Sequence, residues 1–196
     1  MPYVVGKESL MKKRPLYIAL LMLVLFYAGY VSYEYFSDNR ILSNVLKRDH
    51  YTITKKDNIK IDLAIKPEWI PFDTEEPQEL NIKIAETHNT NILLQQVWNR
   101  GNDIYFSFHT TYNLDFYNGS FLYNMLINDD GTYTSRGSYN DLRLTDLQGN
   151  AIQLGQTGAG PGSDFSFGIE PGEYEKIKNG FNVSYSGLIL YEYSRK

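Results

Sequence analysis

From Pro15 to Tyr33 the chain runs 19 residues without a charge. Coiled as a helix at about 1.5 Å per residue, that run extends roughly 28 Å, close to the hydrocarbon thickness of a bilayer. The segment can cross a membrane, and the rest of the chain then folds on one side of it. Lys12, Lys13 and Arg14 directly precede it, whereas Glu34 to Arg40 carries two acids and one base. Positive charge stays inside, so these three side chains set the expected topology: N-terminus cytoplasmic, bulk outside. The expected division is a cytoplasmic tail (1–14), a transmembrane signal-anchor helix (15–36), a juxtamembrane amphipathic helix (37–49) and an extracytoplasmic domain (50–196).

A signal peptide cut off on export is the competing reading. Cleavage needs small residues three and one positions before the cut. The pairs in reach are Tyr27/Gly29, Ala28/Tyr30, Gly29/Val31 and Tyr30/Ser32, each with a bulky member. Tyr27, Tyr30, Tyr33, Tyr35 and Phe36 gather at the outer end, where amphipathic rings favour the headgroup zone. An uncleaved anchor is therefore expected, ahead of a cleaved signal or the buried helix of a soluble protein. A 14-residue tail is too short to fold a DNA-binding module, so a message could pass inward only by helix association.

Beyond Ser37 there are 15 basic and 21 acidic side chains, a deficit of positive charge that argues against nucleic acid as a partner. Cysteine is absent, which removes disulfides, thiolate metal sites, a cysteine nucleophile and lipoprotein acylation together. An exported domain of this kind must be held by its core alone, as suits a bacterial exterior without disulfide machinery. Abundant Ile, Asn, Lys and Tyr fit a low-GC Gram-positive coding bias.

In "SDNRILSNVLKRD" (37–49) apolar residues fall at 41, 42, 45 and 46, a helical stripe that Ser37 or Asp38 can cap. The stripe can lie on the membrane, against its own domain, or in a dimeric stalk. After His50 the period becomes alternating. "YTIT" and "IKIDLAIK" around the turn-rich "KKDN" read as a hairpin, with Ile59, Ile61, Leu63 and Ile65 on one face. Further strands are expected at 80–86, 91–99, 103–112, 120–128, 141–145, 150–154, 164–169 and 181–193, separated by Gly/Asn/Asp turns, with a helical turn in "EYEKIKNG" (173–180). Short strands at this density predict an antiparallel β-sandwich, with a barrel as runner-up.

Motifs that would carry chemistry fail on inspection. The glycines of "GQTGAGPGSD" (155–164) lack the Lys-Ser/Thr of a phosphate loop, which leaves a mobile connection between strands. "NDDGTY" (128–133) resembles a calcium loop, but Leu126 and Gly137 stand where oxygen ligands are required, so a hairpin turn is favoured. His50, His88 and His109 follow no metal spacing, and no nucleophile elbow or Ser-x-x-Lys pair occurs. The acidic run around Glu75 and Glu76 reads as a solvated loop. No catalytic, cofactor or metal residue is assigned. Aromatic rings are the remaining lead: Trp69, Ile70 and Phe72 between prolines either cover one end of the sandwich or form a docking patch, and Tyr112 and Tyr117 belong to a tyrosine-rich stretch suited to packing or to binding. These five are the candidate partner-binding residues.

In outline the chain resembles the small, single-pass, β-rich exported proteins of Gram-positive bacteria, and "LTDLQGNAIQL" (144–154) is similar to strands in the immunoglobulin-like ectodomains of their membrane proteins. The resemblance implies an immunoglobulin-like sandwich and carries no functional residue with it. The expected function is a non-catalytic exterior module that binds another envelope protein or a wall polymer, as a subunit of a membrane complex. An envelope enzyme with a loop-built site and a sensor acting through helix pairing are the alternatives.

Overall fold

The computed structural model describes residues 7–135, 139–160 and 163–196, with side chains from Tyr17 onward except at 139, 160 and 163. The Lys12, Lys13 and Arg14 side chains, Gly137 and Pro161-Gly162 therefore lie outside the described residues. Helix α1 (Lys7–Tyr35) contains a stretch, Tyr17–Tyr35, long and apolar enough to cross a membrane, none of it buried by the protein. A helix apolar on all sides and left uncovered by its own domain suits lipid.

Helix α2 (Asp38–Leu46) follows at once. The Ser37 hydroxyl accepts the Arg40 N–H at 3.4 Å and Asp38 lies in the first turn, so the start is capped and charge-matched. Its stripe is buried at Ile41 and Val45 against the protein's own sheet. That selects one of the three positions open to it.

The strands are β1 (Tyr51–Ile65), β2 (Gln78–Thr87), β3 (Thr90–Asn99), β4 (Ile104–Tyr112), β5 (Asn118–Tyr123), β6 (Met125–Ile127), β7 (Tyr133–Ser135), β8 (Leu142–Asp146), β9 (Ala151–Ile152), β10 (Thr157–Gly160), β11 (Ser163–Ile169) and β12 (Phe181–Arg195), with a one-turn helix α3 (Tyr174–Ile177) before the last. One five-stranded sheet runs β1-β12-β8-β9, with β5 also on β12; the other runs β10-β11-β4-β3-β2; β6 and β7 make a separate hairpin. All pairings are antiparallel. Two sheets with their own edges make a sandwich-like arrangement, not the closed barrel held as runner-up.

β12 organises the first sheet. It pairs with β1 along nearly its whole length, with β8 through Phe181–Tyr185 and with β5 through Ile189–Ser194. Between the sheets Phe106, Phe108, Phe165 and Phe167 stack in cross-strand pairs, with Ile61, Leu63, Ile65, Val183 and Tyr185 facing them. Full burial of such side chains contributes about 1.5–3 kcal/mol each.

A second core lies on the opposite face of the first sheet. Neighbouring residues diverge: Leu122 and Leu188 join the inter-sheet core, while Phe121 and Ile189 join a cluster with Ile41, Val45, Tyr51, Tyr191 and Tyr193. Successive strand side chains point to opposite faces, so α2 covers the outer face. Register irregularities cause the exchange of faces. One extra β1 residue falls between Lys55 and Asn58, and one extra β12 residue between Tyr185 and Leu188.

Three strand expectations are corrected. Residues 51–65 form one bulged strand, not a hairpin, because β12 supplies a partner throughout and Lys56 pairs with Glu192 at 2.9 Å. The 120–128 strand breaks at buried Asn124, whose amide donates to the Asp164 carbonyl at 2.9 Å. Part of the glycine-rich segment is an edge strand, with Gly158 opposite Ser166 and closely packed: an added Cβ would sit 3.1 Å from the Ser166 hydroxyl.

Candidate functional site

β4 outruns its neighbour. Its pairing with β11 ends at Phe165↔Phe108, whereas its pairing with β3 continues to Thr90↔Tyr112. Along 109–112 one flank of β4 carries no strand among the described residues. The Asp164 carboxylate stands at the end of β11 instead, accepting the Thr110 N–H and, at 2.8 Å, the Thr110 hydroxyl, with His109 Nδ1 at 3.3 Å. Thr110 Oγ1 also lies 3.0 Å from the Tyr112 hydroxyl, and burial pushes that phenol's pKa up.

Beside this overhang is a cleft of about 750 Å³, lined on one wall by Ser32, Tyr33, Phe36, Asp38 and Leu42 and on the other by His109–Tyr112. Alternate strand residues face opposite ways, so four consecutive residues can line one cleft only if it runs along the strand's edge. The cleft thus offers a strand edge, aromatic rings and polar groups at the point where α1 ends. An extended segment can pair with such an edge while its side chains find the rings. Asp164 is committed to Thr110 as well as to His109, which makes the trio a brace for the overhang.

A second cleft of about 610 Å³ lies over β1, β12 and β8, lined mostly by polar side chains such as Lys60, Asp62, Arg143, Thr145, Asn182 and Ser184, with Val183 among them. The Lys60 ammonium is 3.1 Å from Asp62, and hydrogen bonding from Lys60 and Ser184 lowers the Asp62 pKa.

The proposed binding residues divide. Tyr112 is half-buried in the cleft wall, and Tyr117 is 66% exposed near the end of α1. Trp69, Ile70 and Phe72 instead close one end of the main core; Ile70 is only 7% exposed, so the trio forms no open docking patch. Their proline-rich segment is tied down by Asn99 Nδ2 donating to the Pro71 carbonyl at 3.1 Å and Trp98 Nε1 donating to the Glu75 carbonyl at 2.8 Å. His109, Thr110, Thr111 and Asp164 were not singled out for binding, since alternation makes a strand look the same whether or not its neighbour stops short. Among the acids of "NDDGTY", Asp130 accepts the Thr132 N–H and hydroxyl within the β6–β7 turn.

No protein-family model, no curated protein and no solved structure matches this chain.

Proposed function

We propose that the protein is a single-pass membrane protein with a cytoplasmic N-terminus, displaying outside the membrane a non-catalytic sandwich that docks an extended segment of another envelope protein as part of a membrane complex. The single observation that carries this reading is the β4 overhang: a strand flank that no strand covers among the described residues, capped at Thr110 by Asp164, bordering a cleft whose other wall is the end of the apolar helix. Main-chain pairing supplies affinity in such docking, and side-chain pockets supply selectivity. Tyr33, Phe36 and Tyr112 provide the pockets. The module is immunoglobulin-like in the broad sense of two antiparallel sheets joined by connections that cross between them, from β1 to β2, β4 to β5, β9 to β10 and β11 to β12. A wall polymer is the second reading, favoured by the polar cleft over β1, β12 and β8.

The test places a photo-crosslinking phenylalanine analogue at exposed Thr111 in the native membrane, with exposed Thr132 in the β6–β7 turn as control. A discrete protein adduct from position 111 and none from 132 is expected. Equal labelling at both, or no adduct at 111, refutes the docking site.

A further inference from the structure

The loop 113–117 between β4 and β5 is fastened by hydrogen bonds to α2, β1 and β12, and its Phe116 ring touches the end of α1. The Leu114 N–H donates to Asp38 at 2.6 Å, Tyr51 OH donates to the Phe116 carbonyl at 2.7 Å, Tyr193 OH donates to the Asp115 carbonyl at 2.7 Å, and the Arg195 N–H donates to the Tyr117 carbonyl at 2.7 Å. The Phe116 ring meets Tyr35 and Phe36 at centroid distances of 5.4 and 4.7 Å. The Arg195 guanidinium lies 4.0 Å from the Phe116 ring centre and donates to Tyr35 OH at 3.2 Å. So many ties to one turn hold the loop beside the helix end.

Tyr117 is the large apolar side chain left most open in the described sandwich, at 66% against 56% for Leu147, 43% for Tyr133 and 37% for Trp98. It stands edge-on to Phe116 at 5.4 Å, and Phe116 in turn touches the exposed rings of Tyr35 and Phe36 at the end of α1. A large ring with a polar tip, exposed where an apolar helix ends, fits the headgroup zone of a bilayer. The nearby charges are mixed, Arg195 and Lys196 against Glu34 and Asp115, so the rings and not a charge excess carry the match. Resting on the proposal that α1 spans the bilayer, we infer that Phe116 and Tyr117 form a second contact with the lipid headgroup zone. Through it the sandwich is held at a set angle to the membrane.

Absence of cysteine makes single-site labelling clean. The full chain is placed in phosphatidylcholine nanodiscs with a small fluorophore at Asn118→Cys, at Leu147→Cys or at Leu23→Cys. Asn118 adjoins Tyr117; Leu147 follows Asp146, which pairs with Phe181 at the other end of β12 from Arg195. A spin-labelled headgroup is expected to quench position 118 at least about twofold more than 147, and Tyr117→Ser to remove most of that difference. A spin-labelled acyl chain is expected to quench position 23. Equal quenching at 118 and 147 with position 23 quenched overturns this inference and leaves the span standing, as does quenching at 118 that ignores Tyr117→Ser. An unquenched position 23 refutes the span, and this inference with it.

Discussion

Deleting the Tyr185 hydroxyl should make the protein more stable. The side chain is 1% exposed, and its ring stacks on Phe165 with centroids 4.1 Å apart. Its hydroxyl is buried with no hydrogen-bond partner among the described residues, and burial raises its pKa. An unpaired buried hydroxyl costs about 1–3 kcal/mol. Against that stands the packing of the oxygen over Gly187, whose Cβ, were it present, would fall 2.2 Å from it. Removing one oxygen leaves a void of roughly 15 Å³, which at about 24 cal/mol per Å³ costs about 0.4 kcal/mol. Tyr185→Phe should thus gain about 1 kcal/mol, equivalent to roughly 2–4 °C in Tm for a chain of this size. Guanidinium unfolding of the full chain in detergent micelles, followed by the emission of Trp69 and Trp98, reads the change as a shift in midpoint at constant slope. A loss of more than about 0.5 kcal/mol would show that the hydroxyl is satisfied in the native state and refute the reasoning.

Gly187→Ala should have the opposite effect, losing about 3 kcal/mol in the same assay, because the new methyl meets the hydroxyl oxygen and two ring carbons of Tyr185 within 2.7 Å. Arg100→Ala should cost about 3 kcal/mol by stranding Asp103, which is 5% exposed and held by the guanidinium through both carboxylate oxygens. Arg100→Lys should recover less than half of that, since an ammonium cannot reproduce the fork. Burial raises the pKa values of Tyr112, Tyr185 and Tyr193 above the ordinary 10.0. The folded state therefore holds phenol protons that the unfolded chain has released, so their contribution is whole below pH 10 and is lost as pH rises beyond it. Absorbance at 295 nm should show these phenols ionising only with cooperative unfolding, and a smooth titration near pH 10 in the folded protein would count against their burial.

Much of the strand grammar was legible because it is local. Ile61, Leu63 and Ile65 alternate with exposed Asp62 and Ala64 and are buried as that pattern requires. The stripe at Ile41 and Val45 foretold a helix with one buried face, and Ser37 foretold its cap. Less legible was "KKDN", whose turn chemistry is real but yields to a partner strand with no break of its own at that point. Tyr112 could be suspected from its company of tyrosines, whereas His109 and Asp164 could not be joined, since their approach depends on where β11 stops beside β4.

Hydrophobic period, cap chemistry and the long uncharged run act over a few residues, so the amino-acid order alone marked most of the strands and helices and the apolar rod that precedes the sheets. Pairing acts at a distance. Tyr51 meets Arg195 across nearly the whole of the sandwich sequence, and two single-residue irregularities on β1 and β12 turn the inner face into the outer one halfway along. No local pattern encodes that reversal, because a bulge exists only relative to its partner strand. The second core under α2, the β4 overhang and the contact of Phe116 with the helix end all depend on which distant segments pair and where the pairing stops, and so they became visible only in the folded chain.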